Sequence, residues 1–399
     1  KMLVKKRFTN VIILFLFILI LSQSKIISQS LLDTNAKVEE ITSGIQQPEG
    51  PIWSDSLGLL FSDIKGNIIY KWTEGKGKEI YLNPSDSTNG LTYDLNGNLI
   101  AGQMGKRRIV RFEKNGTQTS LADNYEGKKF NSPNDLVVKS DGAIFFTDPD
   151  FNIPQGQQKE LSFNGIYRIS PSGNIQFLDK LALPNGICFS LDETKLYVND
   201  SQEHKIYVWD VVNDSTITNK KLFFTIPIFF GYADGMKIDT SGNIYCTCSN
   251  AVWIISPAGE QIGKIELPVN NSASNCTWGD NDRKTLFITA GKSVYKIRPL
   301  LTGIKNQSST LPEKILLYQN YPNPFNPTTS INYSLPKKSY ISLKVFNLLG
   351  KEVKTLYEGI REAGDYTSTF SGKRLSSGVY YYRLESENFN GTKKLLIIK

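Results

Sequence analysis

A single histidine, His204, is all that a chain of 399 residues supplies, together with three methionines and four cysteines. This scarcity works against a Ser-His-Asp triad and against imidazole-rich metal centres. No G-x-S-x-G elbow, Walker A loop or G-x-G-x-x-G fingerprint is present, so serine-hydrolase, P-loop and dinucleotide chemistry lose their usual sequence support. Long apolar runs are also missing. The longest, Val11–Leu21, has eleven residues, short of the roughly 20 that cross a bilayer. Lys5, Lys6 and Arg7 precede it, and Ser22, Ser24, Ser28 and Ser30 follow. Residues 1–30 therefore read as a secretory signal, with no stable transmembrane segment after processing.

The net charge of +8 is unevenly spread. The first 30 residues hold five cations and no acids, and residues 316–399 hold twelve cations and six acids, which leaves the centre mildly acidic. A nucleic-acid partner is not expected for such a centre. Cys188, Cys246, Cys248 and Cys276 form an even set in an exported chain, so a disulfide is open. The favoured reading is buried free thiols, because Cys246 and Cys248 share one strand face, where bridging each other would be strained.

What the chain does have is repetition. Six segments open at Glu49, Asn89, Asn134, Asn185, Asp234 and Asn275, spaced 40, 45, 51, 49 and 41 residues apart. Each runs as a short apolar strand, a turn such as Asn96-Gly97 or Ser241-Gly242, a second strand, and a third such as "RIVRF". A period of this size with about four strands per unit predicts an all-β, six-bladed β-propeller. Its ring closes if Lys37–Ile45 completes the blade begun at Asn275. The six leading residues all carry a side-chain oxygen, and equivalent blades bring them to one mouth of the central channel. The plain alternative is that they only cap turns. Carboxylate and amide oxygens suit one divalent cation of the hard kind, Ca²⁺ first, with Mg²⁺, Mn²⁺ or Zn²⁺ open. His204, within "SQEHKIYVWD", reads as a turn residue.

The segments "QPEGPIW", "TNGLTYDLNGNL", "NSPNDLVVKSDGAIFFTDP", "LPNGICFSLDETKLYVNDS" and "ADGMKIDTSGNIY" come in the order and at intervals resembling the gluconolactonase and regucalcin (senescence marker protein) family, over roughly Ile45 to Ile297. The resemblance implies one divalent metal, usually calcium, held by Glu49, Asn185 and Asp234, with Asn134 near enough to bind metal or substrate. It implies hydrolysis of a small-molecule sugar lactone or related cyclic ester. Asp234 is the first candidate for the base and Glu49 the second. Asn89 and Asn134 would orient substrate, and Asp148 would order the channel wall or substrate, or merely end its strand before Pro149. Two departures stand out: Gln103 and Met104 replace a Glu-His pair, and Ser132 replaces an arginine. A non-catalytic, calcium-stabilised glycan- or protein-binding propeller and an aryl-ester or phosphotriester hydrolase are the alternatives.

The propeller is expected over residues 31–300, with a linker at 301–315. From 316 to 399 short alternating strands predict a small immunoglobulin-like β-sandwich. "YPNPFNP", "VFNLLGKEV" and "LSSGVYYYRL" resemble the C-terminal sorting domain of type IX secretion cargo. That implies the type IX machinery as partner, passage through periplasm and outer membrane, and a secreted or surface-attached product.

Overall fold

The computed structural model describes residues 36–213, 215–227, 231–268, 271–298, 314–320 and 323–398. The expected signal at 1–30 and most of the linker lie outside the described residues. The described chain is built from strands, and among these residues no helix is long and apolar enough to cross a membrane.

Six four-stranded antiparallel sheets occupy the stretch from Glu39 to Ile297. Their first strands are Pro48–Ser54, Thr88–Tyr93, Leu136–Val138, Pro184–Phe189, Ala233–Ile238 and Ala273–Gly279. Each neighbours the next around a circle, and the last touches the first. Glu39–Thr42 supplies the fourth strand of the last sheet by pairing with Ser293–Ile297. The amino end thus fastens the ring shut, as expected for Lys37–Ile45. The core lies between sheets, where alternate residues of facing strands interdigitate. Ala143, Phe145, Ile187, Leu196 and Trp209 form one such layer, and Ile100, Phe130, Phe146 and Tyr167 another. The cysteines belong to these layers: all four are buried free thiols.

Neighbouring sheets are joined by more than apolar packing. The second strand of one sheet grips the first strand of the next through a side chain. Ser62 Oγ donates to the Asn89 carbonyl at 2.7 Å, Thr147 Oγ1 to that of Asn185 at 2.8 Å, and Thr247 Oγ1 to that of Ser274 at 2.9 Å. Asn199 Nδ2 grips the Asp234 carbonyl, and Ser274 Oγ reaches the Pro48 carbonyl at 2.7 Å across the closing seam. At the equivalent place in the second sheet stands Gly102, where a Cβ would meet the Asn134 carbonyl oxygen at 2.9 Å. There the backbones approach too closely for a side chain.

The carboxyl-terminal part forms two antiparallel sheets on one apolar core. One orders Leu316–Leu317, Thr328–Leu335 and Gly364–Ser371; the other orders Glu352–Arg361, Ser339–Asn347, Gly378–Ser386 and Phe389–Ile397. Strict alternation buries Ile341, Leu343 and Val345 on one strand and Tyr382 and Leu384 on its neighbour. Tyr382 donates its hydroxyl to the Tyr318 carbonyl at 2.6 Å and accepts the Asn320 N–H at 2.7 Å.

Replacing Thr147 by valine keeps its volume and strips the Asn185 carbonyl of its partner. Leaving a buried acceptor unsatisfied costs about 1–3 kcal/mol. Denaturant titration of Thr147→Val is expected to show a lowered midpoint with an unchanged slope; an unaltered midpoint would show that the grip contributes nothing.

Candidate functional site

The sequence puts a β-bulge at five of the six strand starts. Ladder register breaks between Glu49 and Ile52, Thr88 and Leu91, Pro184 and Ile187, Ala233 and Met236, and Ala273 and Asn275. An extra residue re-aims the side chain there. Glu49, Asn89, Asn185 and Asp234 are each followed by glycine, and the reason is distance. A Cβ at Gly50 would lie 2.1 Å from the Asn89 carbonyl oxygen, one at Gly90 2.5 Å from that of Asn134, and one at Gly186 2.2 Å from that of Asp234. A Cβ at Gly235 would strike the Asn275 side chain at 2.0 Å. Asn275 Nδ2 in turn donates to Glu49 Oε2 at 3.2 Å. Glu49, Asn89, Asn134, Asn185, Asp234 and Asn275 therefore follow one another around the starts of the inner strands.

Five of the six are buried, Glu49 at 4% exposure and Asn185 at 2%, while Asp234 is half-buried. The amide nitrogens of Asn89 and Asn185 are turned to the wall. Asn89 Nδ2 approaches Met104 Sδ at 3.6 Å, and Asn185 Nδ2 donates to Ser201 Oγ at 3.1 Å. Their oxygens are left over: Oδ1 of Asn89, Asn134 and Asn185 is buried without a partner. Burial pushes the Glu49 carboxyl up to about 7, although the Gly50 N–H opposes the shift. Burial raises Asp234 well above the usual carboxylate range, and the charges of Glu49 and Asp135 add to it. The neighbouring Asn185 amide and the Gly235 N–H offset only part of that shift. Lys237 Nζ lies 3.8 Å from Asp135 Oδ2 and 3.5 Å from Asn275 Oδ1, partly balancing the negative charge.

Orphaned buried oxygens beside two desolvated carboxylates fit a hard dication, which takes 6–8 oxygen ligands. Among the described residues no group of three or more His, Cys, Asp or Glu side chains forms a metal centre, so the fit rests on mixed carboxylate and amide donors. The thiols offer no substitute, since burial lifts Cys188 and Cys276 to about 12 and keeps them protonated. His204 sits in a turn with φ of 55°.

Asp148 stands apart from the ring. It is fully buried, and its Oδ2 accepts the Asn131 N–H at 2.8 Å. Asp63 and Asp200 occupy the same place at the ends of their second strands, where they accept the N–H groups of Gln46 and Gln47 and of Ala182. Asp148 thus holds the chain leading into an inner strand. Ser132, in place of the arginine, is buried with its hydroxyl on the Pro149 carbonyl. Gln103 is bound to the Ser85 carbonyl at 3.1 Å and to Arg108. Met104 lies against Asn89, and Asn152 Nδ2 approaches the same Met104 Sδ at 3.8 Å. Asn152 lies outside the repeat, so the repeat could not reveal it.

A closed ring of four-stranded antiparallel sheets, with buried oxygens gathered at the starts of its inner strands, places the chain among all-β proteins built on a circle of sheets. Residues 47–292 match the SMP-30/Gluconolactonase/LRE-like region, and the chain belongs to that family. Residues 319–399 match the secretion system C-terminal sorting domain. A gluconolactonase of Zymomonas mobilis is 35% identical over 301 residues, covering 69% of this chain and 84% of that protein. Regucalcin of Xenopus laevis is 24% identical over 248 residues, 61% of this chain and 82% of its own. Among solved structures, a gluconolactonase from Xanthomonas campestris superposes with a TM-score of 0.63 at 31% identity, over 67% of this chain and 91% of that one. A calcium-binding regucalcin from Agrobacterium tumefaciens, at 17% identity and a TM-score of 0.57, shares the fold over 66% of this chain and 95% of its own.

A carboxyl whose pKa is raised on folding stabilises the folded state most when protonated, and that contribution is lost as pH rises through the folded value. In chelator, stability is expected to fall between about pH 4.5 and 7 as Glu49 is forced to ionise in place, and Asp234, raised in the same direction, adds to the fall. Asp148, raised to about 7, adds to the fall. Calcium should remove the Glu49 and Asp234 share and leave that of Asp148. Melting curves across this range, with and without the ion, check it; identical pH profiles would refute the ring as a cation site.

Proposed function

We propose that residues 31–300 form a six-bladed β-propeller that opens sugar lactones or related cyclic esters with one divalent cation, calcium first, held by Glu49, Asn134, Asn185 and Asp234. The observation that carries this reading is the set of three unpartnered asparagine oxygens beside two desolvated carboxylates. The relatives' names add the substrate class: gluconolactonases match over most of their own length.

The chemistry such an ion supplies when bound is polarisation of the ester carbonyl and stabilisation of the oxyanion. Asp234 is the more exposed of the two carboxylates, and it takes the proton from the attacking water. Glu49 is buried and tied to Asn275 and Gly50, which suits a fixed ligand better than a proton carrier. Asn89 and Asn134 orient substrate oxygens, and Asp148 acts from behind, through the Asn131 segment. Met104 at Asn89 makes this wall less polar than a Glu-His pair would. That difference favours substrates with an apolar flank, including simple esters, over fully hydroxylated lactones.

The sorting domain supports recognition by the type IX machinery and a secreted or surface-attached product. Its two sheets on one core suit the immunoglobulin-like sandwich expected from residue 316 onward.

Asp234→Asn is expected to abolish turnover of sugar lactones, measured by pH-stat, while circular dichroism stays that of the parent. Retained turnover would reject Asp234 as the base. Chelation is expected to lower both activity and Tm, because an ion bound only by the folded state stabilises it, by about 2.7 kcal/mol at one hundred times Kd. A chelator-insensitive enzyme would refute the metal assignment.

A further inference from the structure

The inner strands have two ends, and only one carries the oxygen ring. At the other, a cavity of about 470 Å³ is lined by Trp53, Tyr93 and Trp278 together with Asn320, Asn323 and Phe325 of the carboxyl-terminal domain. Trp53 is four residues beyond Glu49 on the same strand, which puts this mouth about 13 Å along the axis from the ring. Further contacts hold the two parts together. Asn332 Nδ2 donates to the Thr240 carbonyl at 2.7 Å, and a Cβ on Gly97 would meet Ile398 Cγ2 at 3.3 Å. The charges are complementary: Lys393 of the basic terminal domain helps to hold Asp192 of the acidic central part below its ordinary carboxylate range.

We infer that the sorting domain is seated over the channel mouth opposite the oxygen ring, so that the unprocessed chain keeps an open, cation-competent site while its signature segment is turned inward. Asn320, Asn323 and Phe325 belong to or border the "NYPNPFNP" segment, and all three line the cavity. The exposed apolar residues Tyr340, Leu348, Leu349 and Ile360 lie elsewhere on the domain and stay available to the export machinery. The domain meets the strands at Trp53, Tyr93 and Trp278, beyond the strand starts that carry the ring, so the seated domain does not cover those starts. Removing the domain would uncover the aromatic mouth, where the buried Trp278 Nε1 has no hydrogen-bond partner, rather than unmask a blocked site. The statement about turnover rests on the lactonase reading; the seating does not.

The test uses the full chain carrying Thr240→Cys and Asn332→Cys, treated with a short bismaleimide. The four native thiols are buried, so the two new ones should react. An intramolecular 240–332 crosslink in the monomer is the expected result, with the calcium-induced rise in Tm and lactone turnover both undiminished. Two thiols that react singly without bridging, or a bridge found only between two copies, would overturn the seating. A crosslinked monomer that loses its calcium response would overturn the opposite-mouth placement. Absence of lactone turnover in every form, with the bridge and calcium response intact, would count against the lactonase reading alone.

Discussion

The grip of each sheet on the backbone of the next is the constraint from which the site follows. Ser62, Thr147, Asn199 and Thr247 each end in a donor aimed at a carbonyl at or beside a ring residue in the neighbouring sheet. Apolar layers can slide by a fraction of an ångström with little penalty, but a buried hydrogen bond loses strength steeply with distance and angle. These bonds fix the height and rotation of each inner strand relative to its neighbour. Glycines at 50, 90, 186 and 235 let the strands come close enough for the ring to form. The bulges then direct side chains that a regular ladder would place differently.

That precision has an electrostatic cost within the ring itself. Glu49 and Asp234 are held close enough to repel one another in surroundings that solvate neither well. Three amide oxygens add negative dipole density without donors to meet it. This concentration of oxygen is what the proposed cation would relieve. Lys237 supplies a permanent partial counter-charge one layer further along the axis, beside Asp135. The same desolvation that burdens the metal-free ring would strengthen an ion's grip on it, because charges interact more strongly where water is excluded.

The second-strand aspartates show how one repeat position holds the chain that enters an inner strand. Asp63, Asp148 and Asp200 each receive backbone N–H groups from the chain entering an inner strand. Gln103, Cys248 and Ala290 stand at the corresponding places in the other sheets, where no carboxylate is needed. Asp148 keeps its other oxygen, Oδ1, buried without a partner, so the strut leaves room for the wall- or substrate-ordering role expected from the sequence.

The order of strands, the closing of the last sheet by the amino end and the six ring residues were all legible from the repeat, since alternation and turn chemistry are local properties written into consecutive residues. The free, buried state of the cysteines was legible for the same reason: Cys246 and Cys248 share a strand face that turns inward. Asn152, Ser201 and Lys237 were not, because each meets its partner at or beside the ring from another strand or loop. The sequence by itself determined that six oxygen-bearing side chains stand at equivalent strand starts, and that a separate basic domain follows. Only the tertiary structure decided that Asn89 and Asn185 turn their nitrogens to the wall, that these two and Asn134 leave their oxygens unpartnered, and that the terminal domain meets the opposite mouth. Both outcomes depend on distances between residues remote in the chain, which no local pattern encodes.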